Sequence, residues 1–126
     1  MKHLEDQLQM AAVTWMRLQH PDVLVIHARN GGSLKSAREG AKFKRMGVVA
    51  GVADLLILRK GYAGKSDKLG ICLYTYHGFF IELKAGKGVQ SPAQKAFQSK
   101  VESEGYKYQV IRSIDEFIAA VNAYLD

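Results

Sequence analysis

Apolar residues along this chain fall into helical stripes and short strand-like runs, and charge interrupts those runs at two places. Leu4, Leu8, Ala11, Ala12 and Trp15 share one stripe and predict an amphipathic helix over 4–19, ended by Pro21. Val23, Val25 and Ile26 are β-branched and predict a strand over 23–28. No period runs through 29–47: Asn30-Gly31-Gly32-Ser33 is turn chemistry, and 35–45 reads as an irregular basic loop. A second strand is expected over 52–58. Residues 60–70, with three glycines, read as a loop and 71–76 as a further strand. Phe79-Phe80-Ile81-Glu82-Leu83-Lys84 predicts a strand over 79–85, and Gly86-Lys87-Gly88 then turns the chain. Ser91-Pro92 opens a helix that runs to about residue 104, where Gly105 stops it. Alternation predicts a strand over 106–111. The capping box Ser113-Ile114-Asp115-Glu116 opens a last helix to about 124.

With 71–76 left out of the count, the order α-β-β-β-α-β-α, without repeats or a linker, predicts an α/β fold in which helices flank one sheet. Its 126 residues suit a single domain, 1–126, with one core. A composition of 48% hydrophobic and 24% charged residues is that of a soluble globular protein. The balance of 18 Lys+Arg against 12 Asp+Glu, a net charge of +6, favours a polyanionic partner. Nucleic acid is the first expectation and an acidic membrane surface the second. The single cysteine, Cys72, excludes an intrachain disulfide and a multi-cysteine zinc site, and reads as a small core or strand residue. The N-terminus lacks the apolar segment of a signal peptide, and the longest mostly apolar stretch, 47–58, is too short to span a bilayer. The expected location is the cytoplasm of a bacterium or of a virus-infected host cell, without a membrane partner.

The two interruptions carry the chemistry. Asp54 lies in Gly51-Val52-Ala53-Asp54-Leu55-Leu56-Ile57-Leu58, and Glu82 and Lys84 lie in the run quoted above. Charges inside apolar strands are costly unless paired or bound to a metal. Two apart on a strand, Glu82 and Lys84 share a face, and Ile81 and Leu83 take the other. That face is either a reactive one or the solvated side of an edge strand. Asp54 either caps a turn or stands at the mouth of a central strand. An Asp at a strand start and a Glu-x-Lys on a neighbouring strand can converge on one Mg²⁺, which takes one or two carboxylates with water and phosphate. The metal acidifies a bound water, and Lys84 can orient that water and stabilise developing negative charge.

Glu5 is a third candidate carboxylate. At about 100° per residue it lies beside the apolar stripe, whereas Asp6 points away. It reads equally as a flank residue near the positive helix terminus. Gln94 stands three residues after Ser91, as a capping box requires, and shares a sheet-facing stripe with Phe97 and Val101, so capping and site roles are both open. Lys35, Arg38, Lys42, Lys44 and Arg45, set against Glu39 alone, form a candidate grip on a nucleic-acid backbone, with Lys87 following Lys84. Gly64-Lys65-Ser66 ends like a phosphate-binding loop, but Arg59 occupies the position of its required first glycine, so no nucleotide cofactor is expected. His3, His20, His27 and His77 show no metal-ligand spacing. His27, near the end of the first strand, can approach a site, although a core or surface role is the plainer reading.

Taken together, Glu5, the Gly-x-x-Asp at 51–54, the Glu-x-Lys at 82–84 and the Ser-Pro-x-Gln at 91–94 resemble the VRR-NUC family, a branch of the PD-(D/E)XK nuclease superfamily. The resemblance spans nearly the whole chain and includes Arg29-Asn30-Gly31-Gly32. It implies a restriction-endonuclease-like fold with a mixed central sheet flanked by helices. It also implies an endonuclease that hydrolyses DNA with Mg²⁺ or Mn²⁺. Asp54 and Glu82 would be the metal ligands, with Glu5, the helix-borne acid, as a third metal residue, Lys84 the catalytic lysine and Gln94 the family's glutamine near the site. Small stand-alone members imply a homodimer acting on branched DNA such as the Holliday junction. The stretch 59–78 is longer than the motif needs.

Overall fold

The structure, a computed structural model, describes residues 2–28, 37–62 and 75–125. Helix α1 (Lys2–Gln19) leads into the short strand β1 (Val25–His27), and helix α2 (Ala37–Arg45) precedes β2 (Leu55–Ile57). Two-residue strands β3 (Gly61–Tyr62) and β4 (Thr75–Tyr76) come before β5 (Phe79–Leu83), and α3 (Pro92–Ser103), β6 (Lys107–Ile111) and α4 (Ile114–Leu125) complete the chain.

The main sheet has the order β1-β2-β5-β6. The β1–β2 and β2–β5 pairs are antiparallel and β5–β6 is parallel, so the sheet is mixed. A parallel pair needs a crossover connection, and α3 supplies it. Strand β5 therefore lies inside the sheet, which excludes the edge-strand reading of Glu82 and Lys84.

Alternation along β5 assigns the two faces. Phe79, Ile81 and Leu83 join Leu55, Ile57 and Ile111 in a core closed by Ala12 and Met16 of α1 and by Phe117, Val121 and Tyr124 of α4. Phe80 points the other way, where its ring meets Phe97 of α3 edge-on at 5.2 Å. Burying six aliphatic or aromatic strand side chains at about 1.5–3 kcal/mol each makes the first face the main apolar stabiliser. Helix α1 enters along Leu8, Ala12 and Met16, one step round from the Leu4–Ala11 line, and both Leu4 and Ala11 are exposed.

Helix α2 corrects the expectation of an irregular basic loop over 35–45. Its alanines and long charged side chains are good helix formers. Gly47, at φ 102°, ends it: the Gly47 N–H reaches the Lys44 carbonyl at 3.1 Å and the Val48 N–H reaches Phe43 at 3.0 Å. The helix buries no residue, and Phe43 is its single large apolar side chain, so its helical period is carried by charged residues rather than by an apolar stripe. The strand expected over 71–76 is described only at Thr75–Tyr76, which pairs with Gly61–Tyr62 in a separate ladder. Tyr124 fixes this ladder by donating to the Arg59 carbonyl at 2.6 Å while its ring covers Gly61. Cys72 and Gly64-Lys65-Ser66 lie outside the described residues. No helix among the described residues is long and apolar enough to cross a membrane.

Candidate active site

The register that pairs Leu55 with Ile81 carries Asp54, one residue ahead of β2, opposite Glu82. Both point to the α3 side of the sheet. The Asp54 carboxylate does not cap its own turn: Oδ2 accepts the Leu83 backbone N–H across the strand pair at 2.7 Å. Glu82 is 2% exposed and is the buried charged residue of the described chain. Its Oε2 accepts from Gln94 Nε2 at 3.1 Å and faces Lys84 Nζ at 3.8 Å. Its buried Oε1 has no hydrogen-bond partner.

Burial is the main force on Glu82, and the charge and hydrogen bond of Asp54 add to it. Together they push the carboxyl up to about 8 against the pull of Lys84, with a further small push from Glu5. Without a cation to offset them, burial and the neighbouring Asp54 charge thus favour the neutral form of Glu82.

Gln94 takes part in the cap and also reaches Glu82. Its Oε1 accepts the Ser91 N–H at 2.8 Å, its own N–H bonds Ser91 Oγ at 3.1 Å, and its Nε2 turns to Glu82. The cap fixes the amide so that the donor end meets the carboxylate. Glu5 comes round the end of β5 from α1 and accepts the Ala85 N–H at 3.4 Å, while Asp6 is exposed. A Cβ on Gly88 would lie 3.6 Å from Lys84 Cδ and 3.7 Å from Glu5 Oε1, so the turn after β5 closes over both side chains.

No protein-family model matches the sequence, and no curated protein matches it. A solved structure described as "VRR_NUC domain protein" superposes with a TM-score of 0.74 at 32% identity, over 96% of this chain and 87% of that one. The chain belongs to the VRR_NUC family. With it comes the restriction-endonuclease-like fold, whose mixed sheet and flanking helices are those described above.

In this VRR_NUC chain Asp54, Glu82, Lys84, Gln94 and Glu5 meet at one end of β5. The basic residues lie on other segments. Arg38, Lys42 and Arg45 share one exposed stripe of α2 at i, i+4 and i+7, Lys44 points elsewhere, and Lys87 is exposed in the turn after Lys84. Lys35 lies outside the described residues. No three His, Cys, Asp or Glu side chains among the described residues converge to cage an ion by themselves. Two facing carboxylates with one buried, unpartnered oxygen suit a hard cation that keeps water and takes phosphate oxygen as its remaining ligands.

The roles of Gly51 and of the Tyr108–Gln90 pair escaped the sequence pattern. Gly51, at φ 76°, lets the loop before Asp54 lie against the first turn of α3, where a Cβ would meet the Ala93 carbonyl at 2.3 Å. Tyr108 sits on the same sheet face as Glu82, and burial first, then the Glu82 and Asp54 charges, push its phenol up to about 12 against a hydrogen bond from Gln90. Gln90 Nε2 donates both to that hydroxyl at 3.1 Å and to Gln98 Oε1 at 2.9 Å. The alternation of β6 could have flagged Tyr108 as a neighbour of Glu82 once the β5–β6 register was known. His27 Nδ1 lies 2.7 Å from the Asp54 carbonyl.

Proposed function

We propose that this VRR_NUC protein is an endonuclease that hydrolyses DNA phosphodiester bonds with Mg²⁺ or Mn²⁺. The observation that carries the reading is Glu82: a buried carboxyl, raised to about 8 and unpartnered at Oε1, set opposite a second carboxylate. Such a group is poised to exchange its proton for a divalent cation. When bound, the cation would neutralise charge on the scissile phosphate and acidify a water.

The chain's own residues do the rest. Asp54 and Glu82 would hold the ion, the Leu83 N–H and the Gln94 amide position their oxygens, and Lys84 would orient the attacking water and stabilise charge growing on the phosphate. Glu5, which accepts the Ala85 N–H at the end of β5, would be the third carboxylate of the site. The stripe on α2, with Lys44, Lys35 and Lys87, grips the DNA backbone without reading bases. We propose branched DNA as the substrate and a homodimer as the active form. Supporting the dimer, Leu24, Ile26 and Leu58 leave an apolar patch on the outer pair of strands, β1 and β2.

The test is cleavage of a labelled panel of four-way junction, flap, single strand and duplex under Mg²⁺, Mn²⁺ and EDTA. Cutting that requires metal and disappears in Asp54→Ala, Glu82→Ala and Lys84→Ala supports the reading. Cleavage retained by pure Glu82→Ala sinks it. Salt-sensitive binding without cutting on every substrate would make the protein a DNA-binding module that keeps a nuclease fold.

A further inference from the structure

The main-chain ladder between β1 and β2 stops one residue short of the site. Its last pair is His27 with Leu55, so the carbonyl of Asp54 lies just beyond the paired residues. The His27 side chain takes over there, with Nδ1 2.7 Å from the Asp54 carbonyl oxygen. A carbonyl can only accept, so Nδ1 carries the hydrogen and donates it. Asp54 is thereby held from both neighbouring strands, its carbonyl by a side chain of β1 and its carboxylate by the Leu83 backbone N–H of β5. Without the first hold, the peptide after Asp54 is free to tilt, and the carboxylate opposite Glu82 tilts with it.

We propose that His27 is a positioning residue for the metal site, an inference that rests on the reading of Asp54 and Glu82 as ligands. Hydrogen bonds that orient ligating carboxylates commonly carry about 10–100-fold in metal affinity. The imidazole is exposed, so its loss leaves the fold intact.

The experiment is calorimetric titration of Mn²⁺ into wild type, His27→Ala, His27→Asn, His27→Gln and Asp54→Ala, with metal-free melting curves for each. An Asn amide nitrogen falls where Nδ1 stands, whereas that of Gln falls where Nε2 stands. The expected result is metal-free melting of His27→Ala within about 2 °C of wild type, since exposed changes shift stability little. Its Mn²⁺ affinity should be about tenfold weaker. His27→Asn should recover most of the affinity and His27→Gln little of it. Wild-type affinity in His27→Ala, or no recovery in His27→Asn, overturns the proposal. If Asp54→Ala loses Mn²⁺ while His27→Ala keeps it, only the role of His27 falls. Full Mn²⁺ binding by Asp54→Ala removes the metal reading of the site, and His27's part with it.

Discussion

Gln94 gives one end of its amide to the backbone of Ser91, at 2.8 Å, and the other to the Glu82 carboxylate, at 3.1 Å. Helix capping and the aim of a buried acid thus depend on one side chain. Gln94→Ala should lose the contacts to the Ser91 N–H and to Glu82 while Ser91 Oγ still accepts the N–H of residue 94, so stability should fall by about 0.5–1 kcal/mol, and the melting point by about 2–4 °C. Gln94→Glu keeps an acceptor for the Ser91 N–H but replaces the donor to Glu82 by a carboxylate. Its melting point should stay nearer to wild type while cleavage falls roughly tenfold or more. Wild-type cleavage rates in Gln94→Glu would show that the donor has no part in the reaction.

Glu82 sets the pH response of the metal-free protein. Its folded-state pKa of about 8 lies above the ordinary 4.5, so as pH rises the unfolded chain loses the proton first. The contribution of Glu82 to stability is fully present below about 4.5 and is lost progressively as pH climbs to about 8. Glu82→Gln cannot ionise and should melt several degrees above wild type at about pH 8.5 but close to it at about pH 4.5. Melting curves in EDTA across that range check this; the same pH slope in both proteins would contradict it.

Metal should relieve the repulsion between Asp54 and Glu82. Mg²⁺ or Mn²⁺ is expected to raise the melting temperature of wild type, and Asp54→Ala should lose most of that gain. Because binding expels the Glu82 proton, affinity should rise up to about tenfold per pH unit until about pH 8 and then level off. Calorimetry at several pH values reads the slope. Equal metal stabilisation of wild type and Asp54→Ala would rule out Asp54 as a ligand.

Gly51 locks the approach to Asp54 against the first turn of α3. A methyl group there meets the Ala93 carbonyl at 2.3 Å on a backbone with φ 76°. Gly51→Ala should lose about 2–3 kcal/mol from strain and displaced backbone, and cleavage should fall with it as Asp54 moves relative to Gln94. A thermal melt indistinguishable from wild type would mean that this loop yields freely.

The stripe of α2 can be tested apart from the chemistry. Arg38→Gln, Lys42→Gln and Arg45→Gln should each weaken DNA binding at all sequences alike and lower the salt slope by about one. Turnover on saturating DNA should stay near wild type. An unchanged salt slope in the triple variant would place the DNA on another face.

Much of this was legible beforehand because local rules apply to local features. Ser91-Pro92 opens a helix by supplying an acceptor and a preset φ, and the structure begins α3 there. Glu82 and Lys84 share a face because strand side chains alternate. Other features depended on long-range contacts. No period in α1 could say that Ala12 rather than Ala11 meets the sheet, since that is decided by the surface it packs on. Helix α2 does not stand out by apolar periodicity, because Phe43 is its single large apolar residue and its helical period lies in Arg38, Lys42 and Arg45.

By itself, then, the sequence determined which residues are chemically capable: carboxylates at 54, 82 and 5, a lysine at 84, a glutamine three residues after a helix cap. It also determined that 82 lies within a strand and that 54 stands next to one. Only the tertiary structure decided that they are neighbours, because pairing register is set by the cores and turns of distant segments. The pairing of Asp54 with Glu82, the placing of β5 inside the sheet and the docking of Gln94 over it turn an ordinary glutamate into a buried acid raised to about 8. Desolvation and charge proximity are properties of an assembled neighbourhood, and no spacing along a chain contains them.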